Sequence, residues 1–321
     1  MNLKINADWL LQMAEKEGNG IFSVGGLVTR VKAEAKASPA LKPAEWSKLF
    51  PINAMRKLRF SLAKGVSDAA ALLDFFGVPS PDAWQAMWNA VPVSYRQTQV
   101  FDAHDEAVSA WVREAEIVAS GLTLADFDEA LLRSSIEELR GLTRKRVEVA
   151  LEEAQAICSR AGVALVLVPE LPGTRISGCA RWLSETHALV GLTLRYKTDD
   201  QLWFTCFHEI AHLLLHRDRQ SFVIDNAAED MGDEVIDSMM AKYEEEANRF
   251  AADTLIPPAE LAKLTARKRD ELTNDVIHDF AEFIGIGPGI VVGRLQHDKV
   301  LDSWQGNKLK QKLEWGFVTG E

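Results

Sequence analysis

The sequence predicts an α+β chain, with a helical N-terminal region ahead of a domain that joins a small mixed sheet to one long, nearly all-apolar helix. Three observations predict it. Residues 1–140 read as amphipathic helical segments broken by Pro and Gly. Between 163 and 194 the pattern changes to three short strand-like runs. A helix then begins near Asp199 and keeps its polar groups to one narrow wedge.

In the first region, Ser67 to Phe76 carries Ala-Ala-Ala-Leu-Leu and stops at Gly77; a second helix with Trp84, Met87 and Trp88 follows the turn Val78-Pro79-Ser80-Pro81. This helix–turn–helix offers Asp82 and Gln85 where a DNA reader would carry arginines, so it reads as packing. Phe101 to Leu139 is expected to be helical, with Trp111, Ala115 and Val118 on one buried face. The character changes near Gly141, which places a boundary near residue 140, between a region 1–140 and a domain 141–321. Thr143 to Arg160 is a strong amphipathic helix with Val147, Ala150, Leu151, Ala154, Ile157 and Cys158 on its stripe. The strand-like runs are Val163–Val168, Ile176–Leu183 and His187–Leu194. The first is apolar throughout and the last two are close enough for a hairpin. Thr198-Asp199-Asp200-Gln201 supplies a capping box for the long helix.

Acidic residues outnumber basic ones, 47 to 36, and the resulting charge of −11 excludes a global positive field that would recruit nucleic acid. The basic clusters Arg140–Arg146 and Arg267–Arg269 read as solvated helix ends. Nucleic acid stays open as a regulator but is not indicated. Cys158, Cys179 and Cys206 form no CxxC pair and no disulfide framework, which suits a reducing compartment. The opening MNLKINADWLL lacks the pattern of a signal peptide, and no run reaches the roughly 18 apolar residues of a membrane span. A cytoplasmic location is the expectation.

The long helix contains His208-Glu209-Ile210-Ala211-His212, an HExxH motif. Residues four apart share a helix face, so the two imidazoles can take adjacent corners of a zinc tetrahedron. Glu209 is rotated by about 100° from His208, out of reach of the ion but beside a water held there, where it can carry a proton. Trp203, Phe204, Cys206, Phe207, Ile210, Leu213, Leu214 and Leu215 fill the other directions, so the wedge is a set of polar groups in need of partners. His216 is too far along the helix axis, at about 12 Å, to share the ion with His208, and a supporting or surface role suits it better. The third ligand is expected from Tyr243-Glu244-Glu245-Glu246-Ala247-Asn248. With Glu244 at the origin of a helical wheel, Met240, Ala247, Phe250, Ala251, Thr254 and Leu255 form an apolar arc around it. Glu246 falls at the edge of that arc and Glu245 on the solvent side. A carboxylate on a buried face wants a cation, so Glu244 is the ligand, and Asn248 one turn on can hydrogen-bond a ligand. Tyr196, His187, Arg181 and Tyr243 are the candidates for an oxyanion donor. Cys179, on a strand that can border the cleft, is a candidate latency switch, its thiolate filling the open position of the metal.

With these segments the chain resembles the ImmA/IrrE family of zinc peptidases. The matching stretches are His208-Glu-Ile-Ala-His-Leu-Leu-Leu-His216 and Glu244-Glu-Glu-Ala-Asn-Arg-Phe-Ala-Ala-Asp-Thr-Leu-Ile-Pro257, together with Ser177–Leu183 and Ile290–Gln296. The resemblance extends from about Gly141 to the C-terminus. It implies a compact gluzincin-like fold holding one Zn2+ per chain, a sheet edge that takes the substrate as an added strand, and a site-specific cut in a transcriptional repressor in a stress, mobile-element or antiphage circuit. Many relatives carry a basic helix-turn-helix, and this chain shows no convincing one in its first hundred residues. A separate helix-turn-helix protein is therefore the expected partner, with the helical region recognising it or sensing a signal. Ala281, Gly285 and Val291 stand at helix-turn-helix spacing, but Pro-Gly-Ile-Val-Val-Gly-Arg lacks base-reading side chains and reads as structural. The rival function is a non-catalytic regulator or antitoxin that binds a partner through a peptidase-like fold.

Overall fold

The computed structural model describes residues 42–89, 104–216 and 233–315, and the side chains of Asn89, of residues 233–238 and of Met240 are not described. The sequence expectations for residues before 42, and for the start of the Phe101 segment, lie outside the described residues. The described residues form two compact units, one of those up to Glu114 with 171–174, the other of 115–170 with those from Arg175 on. The units divide between Glu114 and Ala115, ahead of the change of character near Gly141. The reason is that Leu132, Leu139 and Leu142 are buried in the core of the second unit.

The first unit holds α1 (Pro43–Trp46), α2 (Ile52–Lys57), α3 (Asp68–Phe76), α4 (Pro81–Asn89) and most of α5 (Asp105–Ala119). Helix α3 starts and stops as its sequence dictates: the Ser67 hydroxyl accepts from the Ala70 N–H, and Gly77 takes the left-handed conformation at φ 68°. Trp46, Phe50, Phe76 and Trp84 form an aromatic core in which Trp46 and Phe50 meet edge to face at 5.0 Å between centroids. Trp84 and Trp88 are buried while Met87 is exposed. On α5 the expected face is corrected at one position: Trp111 and Ala115 are buried but Val118 is 40% exposed, because the buried row continues at i+4 to Ala119.

The second unit continues with α6 (Glu129–Ser134), α7 (Ile136–Leu142), α8 (Val147–Arg160), β1 (Val163–Leu167), β2 (Gly178–Trp182), β3 (Ala188–Leu192), α9 (Asp199–Leu215), α10 (Asp233–Leu255), α11 (Pro258–Thr265), α12 (Asn274–Ile284) and α13 (Pro288–His297). The strands run in the order β1-β3-β2. β1 is parallel to β3, with Val163 opposite Ala188, and β2 is antiparallel to it, with Cys179 opposite Gly191. The chain is thus α+β with a small mixed sheet. Helix α8 begins at Val147 and not at Thr143. Thr143 closes α7, its hydroxyl donating to the Arg140 carbonyl and accepting the Gly287 N–H.

Helix α9 runs through the core, packed on β2, β3, α10 and α13, with Trp203, Phe207, Ile210 and Ala211 fully buried. Its start is anchored differently from the expected capping box. Thr198 is the N-cap but makes no side-chain cap bond; its backbone instead forms a bridge with Lys312. The buried Asp199 carboxylate accepts the Gln311 N–H at 2.9 Å, and Asp200 pairs with Lys310 at 2.8 Å. Both carboxylates lie at the positive end of the helix dipole. They fit only because α13 presents glycines to them: a Cβ on Gly289 would lie 2.6 Å from the Asp199 oxygens, and one on Gly293 would lie 2.4 Å from Asp200 Oδ2. Helices α12 and α13 meet at 113°, but Ala281 and Val291 are fully buried, so this pair serves packing. At the other end of α9, Arg133 donates to the Leu214 carbonyl. Arg140 corrects the reading of its cluster as a solvated helix end. Its guanidinium is buried and donates to the carbonyls of Leu255 and Ile284, ending α10 and α12. No single helix among the described residues is long and apolar enough to cross a membrane.

Candidate metal centre

Three of the expected groups converge. His208 Nε2 and His212 Nε2, one turn apart on α9, are 3.0 Å from each other. Glu244 of α10 reaches both, with Oε2 3.3 Å from His208 and Oε1 3.4 Å from His212. These are the groups that could hold a metal ion among the described residues. The fit can be tested against ligand chemistry. Donors bound to zinc at about 2.0–2.1 Å in a tetrahedron stand about 3.3 Å apart, and the three observed separations bracket that value. The donor set, two imidazoles and a carboxylate, is that of a zinc site with one position left for water or substrate. The side chains are 14%, 7% and 30% exposed, so the cluster is sunk but reachable.

Helix α10 delivers Glu244 because its neighbours Ala247, Ala251 and Leu255 are buried against α9, while Glu245 turns outward to pair with Arg249. Burial draws the His208 imidazole pKa down, but the carboxylates of Glu244 and Glu209 outweigh it and the net shift is upward. Asn248 Oδ1 lies 3.0 Å from His208 Nδ1, so it accepts the ring N–H and leaves Nε2 with its lone pair.

Glu209 is buried and points at the sheet. A Cβ on Gly178 would fall 2.9 Å from its Cγ and Oε1 and 2.6 Å from Thr205 Cγ2, so the glycine of β2 makes room for the carboxylate. This role of Gly178 was missed in the sequence, where its lack of a side chain was the only signal. Strand alternation then turns Cys179 and Arg181 to the other face of the sheet. Cys179 is buried on β2, opposite Gly191 of β3.

The remaining candidates scatter. Arg181 pairs with Glu116 at 2.7 Å, and His187 meets the Ser184 hydroxyl in the β2–β3 turn at 3.3 Å. Tyr243 stacks on His216 with centroids 4.3 Å apart, and Tyr196 is exposed beneath the Arg195 guanidinium. His216 is buried, with Nδ1 3.1 Å from His212 Nδ1 and Nε2 2.9 Å from Glu246 Oε2. The sequence excluded His216 from the ion's ligands but gave no partner for it, and it left Glu246 without a role.

The family model Peptidase_M78, the IrrE N-terminal-like domain, matches residues 191–296. Residues 191–296 are thus similar to an IrrE N-terminal-like domain. The matched segment runs from the end of β3 through α9 and α10 to α13, so the IrrE-like domain includes all three converging residues. No curated protein and no solved structure matches the chain. This is the family that the His208–His216 and Glu244–Pro257 stretches resemble, and the domain is of metallopeptidase type.

Proposed function

We propose that the chain is a zinc-dependent endopeptidase that makes a site-specific cut in a separate helix-turn-helix repressor, within a stress, mobile-element or antiphage circuit. The observation that carries the peptidase reading is the convergence of His208, His212 and Glu244 at tetrahedral spacing, with the Glu209 carboxylate on the same helix. The chemistry that a zinc ion supplies in such a site is Lewis acidity, which brings the pKa of water towards about 7 and polarises a carbonyl. Glu209 carries the proton. Its carboxylate accepts a proton from the attacking water and releases it to the departing amide nitrogen, so that the C–N bond breaks after the C–O bond has formed. Asn248 holds His208 in the tautomer that ligation needs. The acidic balance of the chain and the resemblance to repressor-cutting relatives support a protein substrate over a nucleic acid.

The test begins with zinc per chain, measured in protein purified without added metal or chelator. About one zinc in wild type and in Glu209→Gln, with a clear loss in Glu244→Ala, is expected. A small helix-turn-helix protein encoded beside the gene is then the substrate to incubate: wild type should cut it and Glu209→Gln should leave it whole. Turnover retained by Glu209→Gln would remove that residue from the chemistry. A wild type that takes up no zinc would leave a partner-binding regulator as the better account.

A further inference from the structure

We infer that His216 and Glu246 form a positioning relay that fixes the tautomer and tilt of His212 for metal binding, a role distinct from ligation. The inference rests on the zinc reading and assigns two residues that reading leaves unused. The two histidines touch through Nδ1 atoms, 3.1 Å apart, so a single proton lies between the rings. An ion on His212 Nε2 requires the lone pair there and places the His212 proton on Nδ1. His212 must then donate and His216 Nδ1 must accept. The proton of a neutral His216 is thereby left on Nε2, where Glu246 Oε2 accepts it at 2.9 Å. Only one arrangement of protons satisfies the row Glu246–His216–His212.

The row is also held mechanically. The His216 side chain is 1% exposed, Tyr243 stacks against its ring, and its backbone N–H donates to the His212 carbonyl as helix α9 ends. Its φ of −128° and ψ of 39° are off the helical values, so the ring is placed by its contacts and not by the regular helix. The two ligand histidines are thus oriented by different means: His208 by the neutral amide of Asn248, His212 by an imidazole backed by a carboxylate. A carboxylate at the end of the row makes the His216 ring the stronger acceptor and raises the donor strength of His212 towards the ion.

The experiment reads zinc affinity by competition with a chromophoric chelator, alongside the visible spectrum of the Co2+-substituted full-length chain. His216→Ala should weaken zinc binding by roughly 10- to 100-fold and alter the cobalt bands, because His212 loses its acceptor. Glu246 is partly exposed, so Glu246→Ala tests the same row without a cavity in the core. It should weaken binding in the same direction, and Glu246→Gln, whose amide oxygen still accepts from Nε2–H, should recover part of the loss. Wild-type zinc affinity and an unchanged cobalt spectrum in both His216→Ala and Glu246→Ala would overturn the relay. A wild type that binds neither zinc nor cobalt sinks the metal reading itself, and the relay with it.

Discussion

At the scale of single residues, the costly groups of this fold are the carboxylates and imidazoles that α9 takes into the core. Asp199 shows the cost outside the metal centre. Burial, and then the neighbouring charge of Asp200, push its carboxyl up to about 6 from 3.8, against the Gln311 N–H that favours the ionised form. A carboxyl whose pKa is raised by folding keeps its proton in the native state after the unfolded chain has lost it. Stability therefore falls as pH rises from about 4 to about 6, and above that window the loss is complete. At about 1.36 kcal/mol per pKa unit the loss comes to ~3 kcal/mol. Asp199→Asn retains an acceptor for the Gln311 N–H and escapes the penalty. In urea titrations with chelator present, wild type should lose stability relative to Asp199→Asn between pH 4.5 and pH 7. Parallel pH profiles for the two proteins would rule this out.

At the scale of elements, the site depends on how closely β2 approaches α9. The approach is set by Gly178, whose missing side chain leaves room for Thr205 and Glu209. Gly178→Ala puts a methyl group within 2.6–2.9 Å of three atoms of α9, so strand or helix must shift. Overpacking of this kind costs about 1–3 kcal/mol. On the proposed mechanism, in which Glu209 carries the proton and residues of α9 and α10 hold the ion, cleavage should fall further than zinc binding does. A denaturation midpoint equal to wild type would mean that β2 gives way freely. The same logic of close approach operates at the start of α9, where Gly289 and Gly293 of α13 cradle Asp199 and Asp200. Those contacts fix the rise and rotation of α9, and hence where His208, Glu209 and His212 come to lie.

For the whole molecule, two compact units imply that heating need not give a single transition. His208, His212 and Glu244 all belong to the second unit, which has its own hydrophobic core. Zinc at a free concentration 100 times its dissociation constant stabilises the species that binds it by about 2.7 kcal/mol. In calorimetry one transition should rise with zinc while another stays in place, and the rise should vanish in Glu244→Ala. Equal upward shifts of all transitions would show that the units unfold as one.

The convergence of His208 and His212 was legible in the sequence because an i, i+4 pair with an intervening acid is a local pattern, and its geometry follows from helix periodicity alone. Glu244 was legible for a related reason: a carboxylate amid an apolar arc is a conflict within one helix. The same holds for the caps of α3, which need only neighbouring residues. The division between Glu114 and Ala115, the burial of Arg140, the anchoring of Asp199 by Gln311, the room left by Gly178 and the His212–His216–Glu246 row were not legible. Each depends on which distant segment arrives opposite a given side chain. A helical wheel states which way His216 faces, but only the packing of α10 against α9 supplies the carboxylate that gives its proton a place to go.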